Sequence, residues 1–209
     1  MGHIILLGDS IFDNGVYVPG QPDVVKQLRA LLPEGWKASL LAVDGAVTRS
    51  VTSQLTRLPA DATHLVVSVG GNDALGESGI LSSSARMVGE AVLMLADTQE
   101  RFARNYGDML EAVLAAELPT TLCTIYDTPR SAPNQRVIRT ALALFNDVIT
   151  RAAFGHCLSL IDLRLICNEE EDYANPIEPS ARGGEKIATA IAGLIAGSGD
   201  RSRSLVAAR

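Results

Sequence analysis

Basic residues, cysteines, histidines and long apolar stretches are all scarce in this chain. Lys and Arg number 18 against 24 Asp and Glu, a formal charge of −6 at pH 7. A nucleic-acid partner needs clustered cations on one face, so that class is excluded. The acidic balance reads as ordinary solubility. Three cysteines, Cys123, Cys157 and Cys167, are an odd count without C-x-x-C spacing. That excludes a disulfide framework and implies reduced thiols in a cytoplasmic protein. No apolar run reaches the roughly 20 residues of a membrane span. The start, MGHIILLGDS, has no basic leading region and a short apolar run, so no secretory signal is expected. Histidine, the usual general base at neutral pH, occurs three times, as His3, His64 and His156.

What is present is a globular composition, 47% hydrophobic and 20% charged over 209 residues. That suffices for one domain with a real core. HIILLG (3–8), KASLLAV (37–43), THLVVSVG (63–70), TTLCTIY (120–126) and CLSLIDL (157–163) read as five strands. Their continuous apolarity suits a parallel sheet covered on both faces, with Cys123 in its core. Helical patterns lie between them, at 22–32, 47–58, 132–154 and 183–196. Segment 74–118 reads as two helices, one ending near Ala96 and one beginning after Asp97. The first, RMVGEAVLMLA (86–96), is apolar on almost every face and reads as core; a homodimer face or a cover over a cleft are its other uses. The strand–helix alternation predicts a single α/β domain over 1–196, a flavodoxin-like three-layer sandwich. Residues 197–209 read as a loose tail or a cloning remnant.

In such sheets ligands bind beyond the carboxyl ends of the strands. The residues there are Asp9 and Ser10, Asp44 and Gly45, Gly71, Asn72 and Asp73, then Asp127 and Arg164. The motifs GDSIFDNG, VDGAVT and VSVGGNDAL each follow a strand in order. Together they resemble the motifs of the SGNH (GDSL-type) hydrolases, a family of esterases, lipases, thioesterases and deacetylases. The resemblance implies Ser10 as nucleophile. It also implies an oxyanion hole built from the Ser10 and Gly45 N–H groups and the Asn72 amide. Asp9, Asp44, Gly71 and Asp73 would line the substrate site. The structural alternative has Asp9 and Ser10 capping the first helix and Asn72 bonding a turn.

The family's last motif, Asp-x-x-His before the final helix, supplies the base and its orienter. Here the corresponding stretch is NPIEPSARGGEKIA. Pro179, Gly183 and the following helix put Glu178 at the His place and Asn175 at the Asp place. The three histidines each lie at the beginning of a predicted strand, at the opposite edge of the sheet. The two departures conserve charge: Asp with neutral His and Asn with ionised Glu each carry one negative charge. Asn175 would then donate its amide hydrogen to Glu178. An unperturbed Glu is a weaker base than His by about two pKa units, a gap that burial narrows. Proton transfer to Glu178 implies activity persisting below the usual histidine titration.

The expectation is a serine esterase acting on a small-molecule ester, without cofactor or metal. The rival reading is a non-catalytic SGNH-like binding domain that has lost the His. A third is a metal site on the acidic rim of Asp9, Asp13, Asp73 and Glu178.

Overall fold

Ile4 and Leu6 of the first strand belong to one apolar cluster, and Ile5 and Leu7 to another. All four are fully buried, so this strand is the centre of two cores at once. The structure, a computed structural model, describes residues 1–195; the predicted tail lies outside the described residues. Its elements are β1 (His3–Gly8), α1 (Val24–Leu31), β2 (Lys37–Leu40), α2 (Ser50–Leu55) and β3 (His64–Ser68). Then come α3 (Gly71–Gly76), α4 (Val88–Leu114), β4 (Thr120–Cys123) and α5 (Gln135–Gly155). The chain continues through β5 (Ser159–Ile161), α6 (Leu163–Ile166), β6 (Tyr173–Asn175), β7 (Glu178–Pro179) and α7 (Ala181–Ile195).

The five-stranded sheet runs β2-β1-β3-β4-β5, with every pairing parallel. This is the predicted flavodoxin-like order. Helices α1, α6 and α7 cover one face; α2, α4 and α5 cover the other. Fully burying each aliphatic side chain of β1 contributes about 1.5–3 kcal/mol, which is why a continuous apolar run is needed there. Asp23 starts α1 by accepting the Lys26 N–H at 2.8 Å. Cys123 is buried, as its apolar context predicts.

The structure departs from the sequence reading in three places. The strands stop short of their apolar runs: β2 ends at Leu40, β4 at Cys123 and β5 at Ile161. The residues beyond them form the loops that build the site. The expected pair of helices in 74–118 is instead one 27-residue helix, α4, preceded by short helical turns. Asp97 does not break it, because Asp97 faces solvent. Thr98 is accommodated by donating its hydroxyl to the Met94 carbonyl, at 3.2 Å. The apolar stretch 86–96 is also not core. Met87, Val88, Val92 and Leu93 are 72, 82, 56 and 68% exposed. The sheet ends before the helix does, so among the described residues little covers the outer side of its first turns.

The antiparallel pair β6–β7 is an addition that periodicity did not reveal, since its strands are three and two residues long. It is held from behind by Asp172, whose side chain is completely buried. Asp172 Oδ2 accepts from Lys186 Nζ of α7 at 2.8 Å and from the Glu169 N–H at 3.0 Å. Arg182 Nε stands 3.7 Å from the other oxygen. The Asp172 carbonyl accepts the Ser180 N–H, at 2.9 Å. Gly183 lies directly against that carbonyl, and a Cβ there would overlap its oxygen.

Alanine normally favours a helix over glycine by up to about 1 kcal/mol. At Gly183 the sign should reverse. Gly183→Ala is expected to lower stability by about 1–3 kcal/mol in urea unfolding, through the forced shift of Asp172. Gly107→Ala, at an open position in α4, should raise it. A Gly183→Ala variant as stable as Gly107→Ala would refute the close packing.

Candidate active site

Three amide side chains fix the loops at the carboxyl end of the sheet. Gln54 of α2 clasps the last residue of β1: its Nε2 donates to the Gly8 carbonyl and its Oε1 accepts the Gly8 N–H, both at 2.8 Å. Asn146 of α5 does the same to Ile125 beyond β4, again at 2.8 Å in both directions. Asn14, completely buried, accepts the Val24 N–H and donates to the Pro179 carbonyl. Gln54 and Asn146 replace ladder hydrogen bonds where the strands give out, and Asn14 ties the turn after β1 to α1 and β7. Asn14 falls within the GDSIFDNG stretch, whereas Gln54 and Asn146 lie outside the recognised motifs. The one sequence signal was a polar residue on an otherwise apolar helix face, as with Gln54 beside Val51 and Leu58.

β1 and β3 come unusually close where they end. Gly8 has φ 125°, and a Cβ on it would overlap the Ser68 carbonyl oxygen. The Asp9 N–H donates to that same carbonyl, at 3.1 Å. The chain then turns, with the Phe12 and Asp13 N–H groups both donating to the Asp9 carbonyl. Asp9 and Ser10 are therefore in a tight turn and do not cap α1. This turn holds Ser10 at 5% exposure, facing the β6–β7 hairpin.

Ser10 Oγ donates to Glu178 Oε1 at 3.1 Å. The hairpin is pinned on both sides of Glu178. Tyr126 donates its hydroxyl to the Ile177 carbonyl at 2.9 Å, and Asn14 donates to the Pro179 carbonyl at 3.2 Å. Glu178 is itself 5% exposed, and its Oε2 is buried without a hydrogen-bond partner among the described residues. Burial pushes this carboxyl up to about 7; the Ser10 hydroxyl counters the rise and Asp44 adds to it. Next to it, burial pushes Asp9 up to about 8, against its bond from the Ile11 N–H and with help from the Glu178 and Asp73 carboxylates.

The other predicted residues divide. Asn72, at the start of α3, lines the same cavity as Ser10 and donates one amide hydrogen to the Ala46 carbonyl at 3.0 Å. Gly45 is exposed with φ 75°, and it is not on the cavity wall. The N–H groups of Ser10 and Gly45 make no hydrogen bond among the described residues. Asp9 and Gly71 line the cavity. Asp44 and Asp73 do not. Asp73 gives both oxygens to Thr48, at 3.0 and 2.8 Å, and Asp44 accepts from the Tyr17 hydroxyl at 2.8 Å. Asn175 does not orient Glu178: its Oδ1 accepts the Ile177 N–H at 2.9 Å, and among the described residues no hydrogen bond joins the two side chains. A short side chain on a two-residue turn satisfies its own loop first.

The carboxylates of the acidic rim do not converge. Among the described residues no group of three or more His, Cys, Asp or Glu converges to hold an ion. Asp13 accepts the Asp44 N–H, and Asp73 is taken by Thr48. The histidines stay at the far edge, as expected. His3 opens β1 and bonds Asp61 and Ser39; His64 opens β3 and stacks on Trp36. His156 caps the end of α5.

The cavity beside Ser10 has a volume of about 250 Å³. Beyond the polar end made by Asp9, Ser10, Asn72 and Glu178, its walls are mainly aliphatic and aromatic, with Glu77, Ser78, Thr98 and Thr128 among the polar exceptions. The apolar residues include Leu75, Ile80, Leu95, Ile138 and Phe145. Such a space favours an apolar group whose reacting end meets the polar cluster.

A family model described as the GDSL-like lipase/acylhydrolase family matches residues 6–186. No curated protein matches the chain. Solved structures share the fold at low identity. An extracellular lipase from Streptomyces rimosus is 18% identical, with a TM-score of 0.64, covering 92% of this chain and 100% of its own. A phospholipase A1 from Streptomyces albidoflavus is 16% identical, with a TM-score of 0.63 and coverage of 91 and 98%. An aryl esterase from M. smegmatis is 13% identical, with a TM-score of 0.67 and coverage of 94 and 99%.

A carboxyl group that titrates higher folded than unfolded binds its proton more tightly in the folded state. Stability is then greatest below the unfolded value and falls as pH rises through the folded one. For Asp9 that window runs from 3.8 to about 8. Urea unfolding at pH 5 and pH 8.5 should show a marked loss at the higher pH. In Asp9→Asn the loss should be smaller by at least about 2 kcal/mol. Parallel behaviour of the two proteins would show that Asp9 is ionised in the fold.

Proposed function

Because the chain belongs to the GDSL-like lipase/acylhydrolase family, we propose that it is a serine esterase whose general base is Glu178 and whose substrate carries an apolar acyl group. The observation that carries this reading is the 3.1 Å hydrogen bond from Ser10 Oγ to Glu178 Oε1, at the polar end of an apolar cavity.

In this reaction Ser10 Oγ attacks the ester carbonyl carbon while its proton passes to Glu178. The carbonyl electrons collect on the oxyanion, held by the Ser10 N–H and the Asn72 amide, two donors whose residues line the cavity. As the tetrahedral species collapses, the bond to the alkoxy oxygen breaks. Glu178 returns the proton to the departing alcohol. Water then attacks the acyl-serine with Glu178 again as base; the bond to Ser10 Oγ breaks, Glu178 returns the proton to Ser10, and the acid is released. Asn72 is suited to its role because only one of its two amide hydrogens is spent on Ala46.

Burial alters the expected pH dependence. The sequence suggested activity persisting below the histidine range. A carboxyl at about 7 titrates where an imidazole would, so that advantage disappears. Glu178 must be ionised to accept a proton. Activity should therefore rise with pH, half-maximal near 7, and level off above it. A profile flat between pH 5 and 8 would exclude Glu178 as the titrating base.

Ser10→Ala should lower kcat/KM on a p-nitrophenyl ester by about 10³-fold or more and abolish labelling by a fluorophosphonate. Glu178→Gln should fall comparably. A protein that resists labelling while folded would instead be a binding domain, with its serine unactivated.

A further inference from the structure

His3, at the far edge of the sheet from Ser10, has its ring between two partners. Nδ1 is 2.9 Å from Asp61 Oδ1, and Nε2 is 2.8 Å from Ser39 Oγ. Strand register explains the pairing. His3 stands opposite Lys37 of β2 and Ile5 opposite Ser39, so His3 and Ser39 are diagonal neighbours on one face of the sheet. Asp61 comes from the loop before β3. Thr63 clamps the His3 backbone: its Oγ1 accepts the His3 N–H at 2.7 Å, and its own N–H donates to the His3 carbonyl at 2.9 Å. The ring is buried, Ser39 is half-buried and Asp61 is exposed.

Acid, ring and hydroxyl are connected in the order that activates a serine. Hydrogen bonds from Lys37 and His3 hold the Asp61 carboxyl down, to about 2, so it is ionised and only accepts. The hydrogen it shares with the ring therefore belongs to Nδ1. In the neutral ring Nε2 is then an acceptor, and the Ser39 hydroxyl donates to it. A donor for an oxyanion lies next in the chain. β2 is an edge strand, and Lys37 and Leu41 direct their N–H groups at the Gly2 and Leu6 carbonyls. Alternation along the strand turns the intervening Leu40 N–H outward, away from β1. An N–H just after the nucleophile is a recurring oxyanion donor.

We propose that Ser39, His3 and Asp61 form a second nucleophilic centre, separate from Ser10, that takes an acetyl or similarly small acyl group from an aryl ester. Ser39 Oγ attacks the acyl carbon while its proton passes to His3 Nε2. The carbonyl electrons collect on the oxygen, which the Leu40 N–H holds. They return as the bond to the aryloxy oxygen breaks, and Nε2 gives the proton to that departing oxygen. Water then attacks the acyl-serine with Nε2 again as base. The bond to Ser39 Oγ breaks, the proton returns to the serine, and the acid is released. Turnover is slow beside that of Ser10, because a sheet edge does not hold the substrate as a cavity does. The half-buried hydroxyl meets a planar acetyl group more easily than the tetrahedral phosphorus of a fluorophosphonate, which separates its reactivity from that of Ser10.

Ser10→Ala isolates this centre. Exposed to p-nitrophenyl acetate, quenched in acid and digested for mass spectrometry, that variant should carry an acetyl group on Ser39. Labelling should be at least about tenfold slower in urea, where the trio is dispersed. In the Ser10→Ala background, Asp61→Asn should slow it by at least about tenfold, because an amide does not hold the ring in the tautomer that leaves Nε2 free. The position is exposed, so the fold should survive. His3→Gln should slow labelling as far. Lys37→Ala removes the ion pair with Asp61 but no member of the trio, and should change the rate by no more than about twofold. Acetyl groups on lysines or the amino terminus with Ser39 unmodified overturn the proposal. So does equal labelling of Ser39 in urea. A loss in Lys37→Ala as large as that in Asp61→Asn also overturns it, and would make the trio a fastener of the sheet edge. None of these outcomes depends on whether Ser10 is a nucleophile.

Discussion

A hydroxyl donating to a carboxylate that water barely reaches is the interaction on which the site depends. Ser10, in the turn after β1, and Glu178, in β7, lie far apart in sequence. Each is held by backbone constraints rather than by packing alone. On the serine side, the Gln54 clasp and the close approach of Gly8 to Ser68 set the turn. On the glutamate side, Tyr126 and Asn14 hold the carbonyls flanking Glu178, and Asp172 ties the hairpin to α7. A buried carboxylate with one unpartnered oxygen is unfavourable on its own. The surrounding hydrogen bonds keep it there against that cost, as is typical where stability is spent on a site.

Asp172 and Glu178 contrast usefully. Both are buried acids a few residues apart. Asp172 meets Lys186 and Arg182, so its charge is compensated and it acts as a fastener. Glu178 meets only a serine hydroxyl and lies near further acids, so its proton affinity is high. Their surroundings, not the residue type, separate a structural carboxylate from one with chemistry available to it.

Much of this was legible beforehand. Strands covered on both faces are written as continuous apolar runs, so the five-stranded parallel sheet followed from the sequence. The Ser10–Glu178 pairing followed from aligning Pro179 and Gly183 with a known motif. Other features were not legible, for physical reasons. The ends of strands are set by where loops find hydrogen-bond partners, and those partners (Gln54, Asn14, Asn146) are distant in sequence. Asn175 satisfied its own turn, a local competition that residue type alone does not decide. The apolar stretch before Ala96 looked like core because composition does not reveal that a helix outruns its sheet.

The acidic surroundings of Glu178 carry one more consequence. With an imidazole base, the proton transfer that starts the reaction generates a cation and an anion from neutral partners. With Glu178, negative charge leaves the carboxylate as it appears on the substrate oxygen. The proposed reaction thus displaces one charge over a short path instead of creating two of opposite sign. In an apolar cavity, where newly separated charges are poorly solvated, displacement asks less of the surroundings. A dry pocket and a carboxylate base are compatible for the same electrostatic reason.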